Sequence, residues 1–124
     1  MRLLLDTHVL LWWRLQEPLA PPAADAIADP RNDVFVSAAS IWEAEIKAAA
    51  GKLRLGVDLV EQVSDARFRG LPIELQHGVA AARLPPHHRD PFDRMLIAQA
   101  KAEGLTLVSR DPVFGAYGIP LLAA

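Results

Sequence analysis

At 124 residues, with a net charge of −2 and no cysteine, the chain is sized for a single domain, residues 1–124, with its own core. Disulfides, thiolate metal sites and cysteine nucleophiles are excluded, and the basic excess typical of nucleic-acid binders is missing. The hydrophobic fraction of 52% is slightly high, but no run reaches the length of a membrane span. The first apolar run is broken by Asp6, unlike a signal peptide, so a soluble cytoplasmic protein without a membrane partner is the default expectation.

Arg2-Leu3-Leu4-Leu5 has the continuous apolar character of a strand buried on both faces of a parallel sheet. Asp6-Thr7 ends it, and Val9, Leu10, Leu11, Trp12 and Trp13 predict a helix to about Gln16. Asp6 therefore sits at the carboxyl end of a strand, where α/β sheets bind ligands; it or Thr7 could equally cap the helix. Pro22 to about Ala28 predicts a short helix, and Asp33-Val34-Phe35-Val36 a second strand. The next helix starts at Ser37 or Ser40, runs through Ala50 and stops at Gly51. From Ser40, Glu43 has capping-box spacing. From Ser37, it lies in the second turn on the face of Ala39, Ile46 and Ala50, where a carboxylate is harder to explain. Glu45, two residues on, is the competing acid.

Gly51 to Leu55 is a connector with two cations, and Val57 to about Phe68 an amphipathic helix ended by Gly70. Leu71 to Leu75 reads as an edge strand because it contains Pro72, and Gln76 to Leu84 as a short helix broken by Pro85-Pro86. His87 and His88 are adjacent, do not share a helix face and lack a third nitrogen ligand, so they read as surface loop rather than zinc site. Asp90 then suits an N-cap, Pro91 the first helical position, and Met95 to Ala100 an apolar helix ending at Gly104. Asp93, three residues after the cap, shares a face with Leu96, Ile97 and Ala100. Leu105 to Val108 is a fourth buried strand followed by Asp111-Pro112, and Ile119 to Leu122 a fifth. Trp12, Trp13 and Trp42 are expected to pack in the core, with a partner or dimer surface as the alternative use.

Alternating strands and helices predict a three-layer α/β/α sandwich with right-handed crossovers around a central parallel sheet of about five strands. In that architecture Asp6 and Asp111 follow strand ends. Glu43 and Asp93 lie near helix starts on the same sheet edge. Two carboxylates about 5 Å apart repel by roughly 3 kcal/mol at an effective dielectric near 20, so four together need protons or cations. An all-oxygen set suits Mg²⁺ or Mn²⁺, which would orient a phosphodiester and activate water. Lys47, Arg94 and Arg110 are then candidate phosphate contacts.

Leu5-Asp6-Thr7-His8-Val9-Leu10-Leu11-Trp12, Ser37-Ala38-Ala39-Ser40-Ile41-Trp42-Glu43, Gly51-Lys52-Leu53, Asp90-Pro91-Phe92-Asp93-Arg94-Met95-Leu96-Ile97-Ala98-Gln99-Ala100 and Leu107-Val108-Ser109-Arg110-Asp111 together resemble the PIN-domain ribonucleases, in particular the VapC-type toxins of toxin–antitoxin modules. The resemblance covers essentially the whole chain in order. It implies a Mg²⁺- or Mn²⁺-dependent endoribonuclease acting on RNA, commonly a homodimer, inhibited by a cognate antitoxin protein. It puts the family's acidic quartet on Asp6, Glu43, Asp93 and Asp111, with the metal on Asp6, Asp93 and Asp111. Thr7 and Ser109 are implied as hydrogen-bonding supports, while Asp90 and Glu45 stay outside. Three rivals stand against this reading. A haloacid-dehalogenase-type phosphatase wants a second Asp where His8 stands, and a receiver domain wants an acidic pair and a strand-end lysine. A catalytically silent PIN-fold binding module would normally lack one of the four acids.

Overall fold

The computed structural model describes all residues, 1–124. Its strands are β1 (Arg2–Leu5), β2 (Asp33–Ser37), β3 (Arg69–Leu71), β4 (Thr106–Ser109) and β5 (Leu121–Ala123). The helices are α1 (Thr7–Arg14), α2 (Pro21–Ala28), α3 (Ala38–Ala49), α4 (Leu59–Asp65), α5 (Leu75–Arg83) and α6 (Pro91–Glu103), with a 3₁₀ helix at Pro112–Tyr117. All neighbouring strands pair in parallel, in the order β3-β2-β1-β4-β5. This is the expected PIN-like sandwich. Strand order reverses at β1, which pairs with β2 on one side and β4 on the other. The carboxyl edge at such a reversal is where open α/β sheets form a crevice.

The alternation of β1 divides the core. Leu3 and Leu5 face one side with Val9, Leu10, Ala23, Ile27, Val34 and Val36. Leu4 faces the other with Leu96, Ile97, Leu107 and Phe114. Each fully buried leucine contributes about 1.5–3 kcal/mol relative to its exposed state. That amount, repeated on both faces, anchors the sheet from which the site residues project.

Some boundaries differ from the sequence expectation. Helix α1 ends at Arg14 because Gln16 adopts a positive φ of 58°. Helix α4 is confined to Leu59–Asp65, capped by Asp58 and stopped where Arg67 turns left-handed at φ 62°. Gly70, expected to end that helix, instead lies within β3, which pairs with β2 through Arg69, Gly70 and Leu71 and stops before Pro72. A proline cannot donate to the ladder, so the strand ends there: the expected Leu71 to Leu75 strand shares only Leu71 with β3, although β3 does lie on the sheet edge as expected. Trp42 is not a core residue: it is 61% exposed, with its ring edge-to-face on Phe92 at 5.2 Å. Trp12 and Trp13 are half-buried against the β1–α1 core.

Candidate active site

Asp6 follows β1, caps α1 and is only 5% exposed. Its Oδ1 accepts the Val9 N–H at 2.7 Å and its Oδ2 accepts the Ser109 hydroxyl at 2.5 Å. Burial raises its pKa above the ordinary value, opposed by those two bonds and by His8, and the charge of Glu43 adds to the rise. Capping and membership of an acidic group coexist in one side chain.

Helix α3 begins after Ser37, not at Ser40. Ser37 Oγ accepts from Ala39 N at 3.0 Å and donates to Gln99 Oε1 at 2.6 Å, and Gln99 in turn donates to the Pro72 carbonyl at 3.2 Å. This buried bridge ties α3, α6 and the end of β3 together. The helix start resolves the sequence ambiguity: Glu43 is in the second turn, 6% exposed, while Glu45 faces solvent. Lys47 Nζ lies 2.9 Å from Glu43 Oε2, but Glu43 Oε1 is buried without any hydrogen-bond partner. An orphaned buried carboxylate oxygen is costly unless something binds it.

Asp90 caps α6 through Oδ1, which accepts from Phe92 N at 2.8 Å and Asp93 N at 3.0 Å. Asp93, in the first turn, has its carboxyl pushed up to about 6. Burial is the main cause, followed by the charge of Asp90; Glu43 raises it further, and His88 opposes. Asp90→Ala should therefore have two effects: a loss of about 1–2 kcal/mol for the cap, and a fall of the Asp93 pKa toward the ordinary range. Carbon-detected NMR titration of the Asp93 carboxyl, with a denaturant midpoint, checks both.

Asp111 caps the 3₁₀ helix through Val113 N at 3.0 Å, and its own N–H donates to Ser109 Oγ at 3.0 Å. Ser109 thus bridges Asp6 and Asp111. Thr7 bonds Ser40 Oγ at 3.0 Å rather than an acid. The cations separate. Only Lys47 stays beside the acids. Arg94 gives its guanidinium to the carbonyls of Ala81, Ala82, Leu84, Pro85 and His88. Arg110 bonds the Ala124 and Pro18 carbonyls and lies 4.0 Å over the Trp12 ring.

His88 departs from the expected surface-loop position. It is no surface side chain: its ring is 19% exposed, with Nε2 at 2.7 Å from Asp93 Oδ2 and 4.0 Å from Asp111 Oδ2. His88 precedes the Asp90 cap and lies outside any helix or strand, so no periodicity sets the direction of its ring. His87 packs instead on Tyr117, at 5.2 Å.

The fold therefore brings Asp6, Glu43, Asp93 and Asp111 to one sheet edge. Glu43 is electrostatically felt by both Asp6 and Asp93, and His88 links Asp93 to Asp111. As they stand, no three Asp, Glu or His side chains are grouped closely enough to enclose an ion. The donor chemistry nonetheless fits a hard divalent cation: an orphaned oxygen on Glu43, and two acids, Asp6 and Asp93, whose ionisation is disfavoured by burial and by the charge of Glu43.

The chain is similar to known proteins in sequence and in fold. Ribonuclease VapC22 of Mycobacterium tuberculosis is 27% identical over 111 residues, covering 87% of this chain and 85% of the relative. VapBC2 from Rickettsia felis, solved bound to a DNA fragment from its promoter, aligns over 100% of this chain and 99% of that one with a TM-score of 0.74 at 15% identity. DNA-bound VapBC from Salmonella typhimurium aligns over 99% and 98%, with a TM-score of 0.72 at 17% identity. These two structures share the fold. The PIN domain family model matches residues 3–119, nearly the whole chain including all four acids, and the protein belongs to the PIN domain family.

Proposed function

We propose that the protein is a metal-dependent endoribonuclease, the toxin of a toxin–antitoxin pair, acting as a homodimer in the cytoplasm and held inactive by a cognate antitoxin protein. The observation that carries the reading is Glu43 Oε1, buried and unpartnered at an edge shared with Asp6 and Asp93. The likeness to ribonuclease VapC22 supports the choice of RNA as substrate. The VapBC neighbours support the antitoxin partner.

Asp6, Asp93 and Asp111 would hold Mg²⁺ or Mn²⁺. When bound, the cation supplies charge neutralisation for the scissile phosphodiester and lowers the pKa of the attacking water. Glu43 offers Oε1 as the acceptor for a proton or a water, its other oxygen being anchored by Lys47. Ser109 holds Asp6 and the Asp111 backbone in fixed relation. Lys47 is the cation available to a flanking phosphate, whereas Arg94 and Arg110 spend their donors on backbone carbonyls.

Purified protein titrated with Mg²⁺ and with Mn²⁺ is expected to cleave total RNA and to rise in Tm as metal is added, by mass action on the folded state. No cleavage and no thermal response would leave Asp6 and Asp111 as helix caps, Asp93 as a first-turn acid and Glu43 as the partner of Lys47, and the protein as a catalytically silent PIN-fold binding module.

A further inference from the structure

We propose that His88 is a positioning residue of the acidic edge, which holds Asp93 in one orientation and fixes it relative to Asp111. The inference rests on the ribonuclease reading and deepens it, by naming the group that sets two of the acids.

Three observations carry it. The imidazole lies between acids contributed by different elements: Nε2 is 2.7 Å from Asp93 Oδ2 on α6, and 4.0 Å from Asp111 Oδ2 at the start of the 3₁₀ helix. The opposite ring nitrogen, Nδ1, faces the Asp90 N–H at 3.4 Å. An acceptor at Nδ1 puts the proton on Nε2; that nitrogen is buried and makes no aligned hydrogen bond, so it faces Asp93 Oδ2 as a close polar contact. The ring itself is held from outside the site. The His88 N–H donates to the Tyr117 hydroxyl at 2.7 Å, that hydroxyl donates to the Pro85 carbonyl at 2.8 Å, and the imidazole packs edge-on to Phe114 at 5.8 Å.

The consequence for the acids is specific. With Oδ2 of Asp93 engaged by His88, Oδ1 is the oxygen left for a cation, just as Lys47 leaves Oε1 of Glu43. Asp111 is the most exposed of the four, its side chain 49% accessible; its Oδ1 is held by the Val113 N–H, and His88 is the neighbour that bears on Oδ2. Outer groups that orient ligating side chains typically govern metal affinity by about 10–100-fold.

The test measures Mn²⁺ Kd by titration calorimetry on the full chain, with kcat and KM for RNA cleavage, in wild type, His88→Phe and His88→Gln. Phe keeps a ring against Phe114 without the donor, and Gln restores an N–H at comparable reach. His88→Phe should weaken Mn²⁺ binding by about tenfold or more and lower kcat at nearly constant KM. His88→Gln should recover most of both. A folded His88→Phe with wild-type Mn²⁺ Kd would overturn the assignment. So would His88→Gln losing as much as His88→Phe, which would make the imidazole a direct ligand. Wild type that neither binds Mn²⁺ nor cuts RNA would remove the ribonuclease reading itself. Wild type that does both, with both variants unchanged, removes only the role of His88.

Discussion

Asp93→Asn is expected to reduce metal-dependent RNA cleavage by more than about 100-fold in kcat/KM while making the metal-free protein more stable at neutral pH. The stability half follows from the raised carboxyl pKa, about 6 in the folded protein against an ordinary value of 3.8. The folded chain keeps this proton to a higher pH than the unfolded chain does. Between about pH 4 and pH 6 folding therefore takes up a proton, and stability falls as pH rises through that window. Above pH 6 the full cost of the ionised group is present. Two units would correspond to about 3 kcal/mol, but Asp93 is 24% exposed, and Asn forfeits part of the favourable helix-dipole interaction at the first turn. A net gain of about 1–2 kcal/mol at pH 7, vanishing near pH 4, is the expected result. Denaturant midpoints of wild type and Asp93→Asn at the two pH values, without metal, measure it. Adding Mn²⁺ should then raise the midpoint of wild type and leave that of the variant where it was. A variant that is less stable than wild type at pH 7 and still cuts RNA would show Asp93 to be a helix-start acid and nothing more.

The second large effect belongs to Arg94, and it is structural. Its two terminal nitrogens reach five carbonyls: Ala81, Ala82 and Leu84 at the end of α5, and Pro85 and His88 in the loop leading to α6. The last carbonyls of a helix have no partners within it, and here one planar fork of donors supplies them. Arg94→Ala should destabilise the protein by about 3 kcal/mol, less than the sum of five charged hydrogen bonds because several are partly exposed. Arg94→Lys should recover only a fraction, since an ammonium cannot span the same set of acceptors. Thermal melts give the stability term. The slope of log KM for RNA against log salt separates the roles, because a lost phosphate contact lowers it by nearly one charge and a lost carbonyl clamp leaves it unchanged. An altered slope with an unchanged Tm would return Arg94 to the phosphate side.

The parts of the fold that were legible are those governed by local rules. Asp90-Pro91 announced the start of α6 and Gly104 its end, and the structure has the cap, the first-turn proline and the left-handed glycine at φ 65°. The apolar runs at Leu3–Leu5 and Leu105–Val108 marked strands buried on both faces, and Pro72 marked a sheet edge. Less legible was where α4 stopped: the helix pattern continued to Phe68, but a left-handed turn at Arg67 ended it first. Nothing in the residue type of Arg67 forces that conformation; the turn is closed by bonds from Arg67 N–H to the Ser64 carbonyl and from Phe68 N–H to the Val63 carbonyl, and it seats Val63 and Phe68 on the core of β1 and α1.

The sequence by itself determined the α/β class, the strand-end placement of Asp6 and Asp111 and the helix-start placement of Asp93, because periodicity and capping are short-range. It left Glu43 open between two helix starts, and the Ser37–Gln99–Pro72 bridge decided in favour of a buried carboxylate. Tertiary structure alone drew Arg94 and Arg110 onto carbonyls distant in the chain, left Trp42 exposed and carried His88 from a loop into the acidic edge. A long side chain reaches several ångströms in many directions, so its partner is set by which backbone the fold brings within that reach. The spacing of residues along the chain does not encode that.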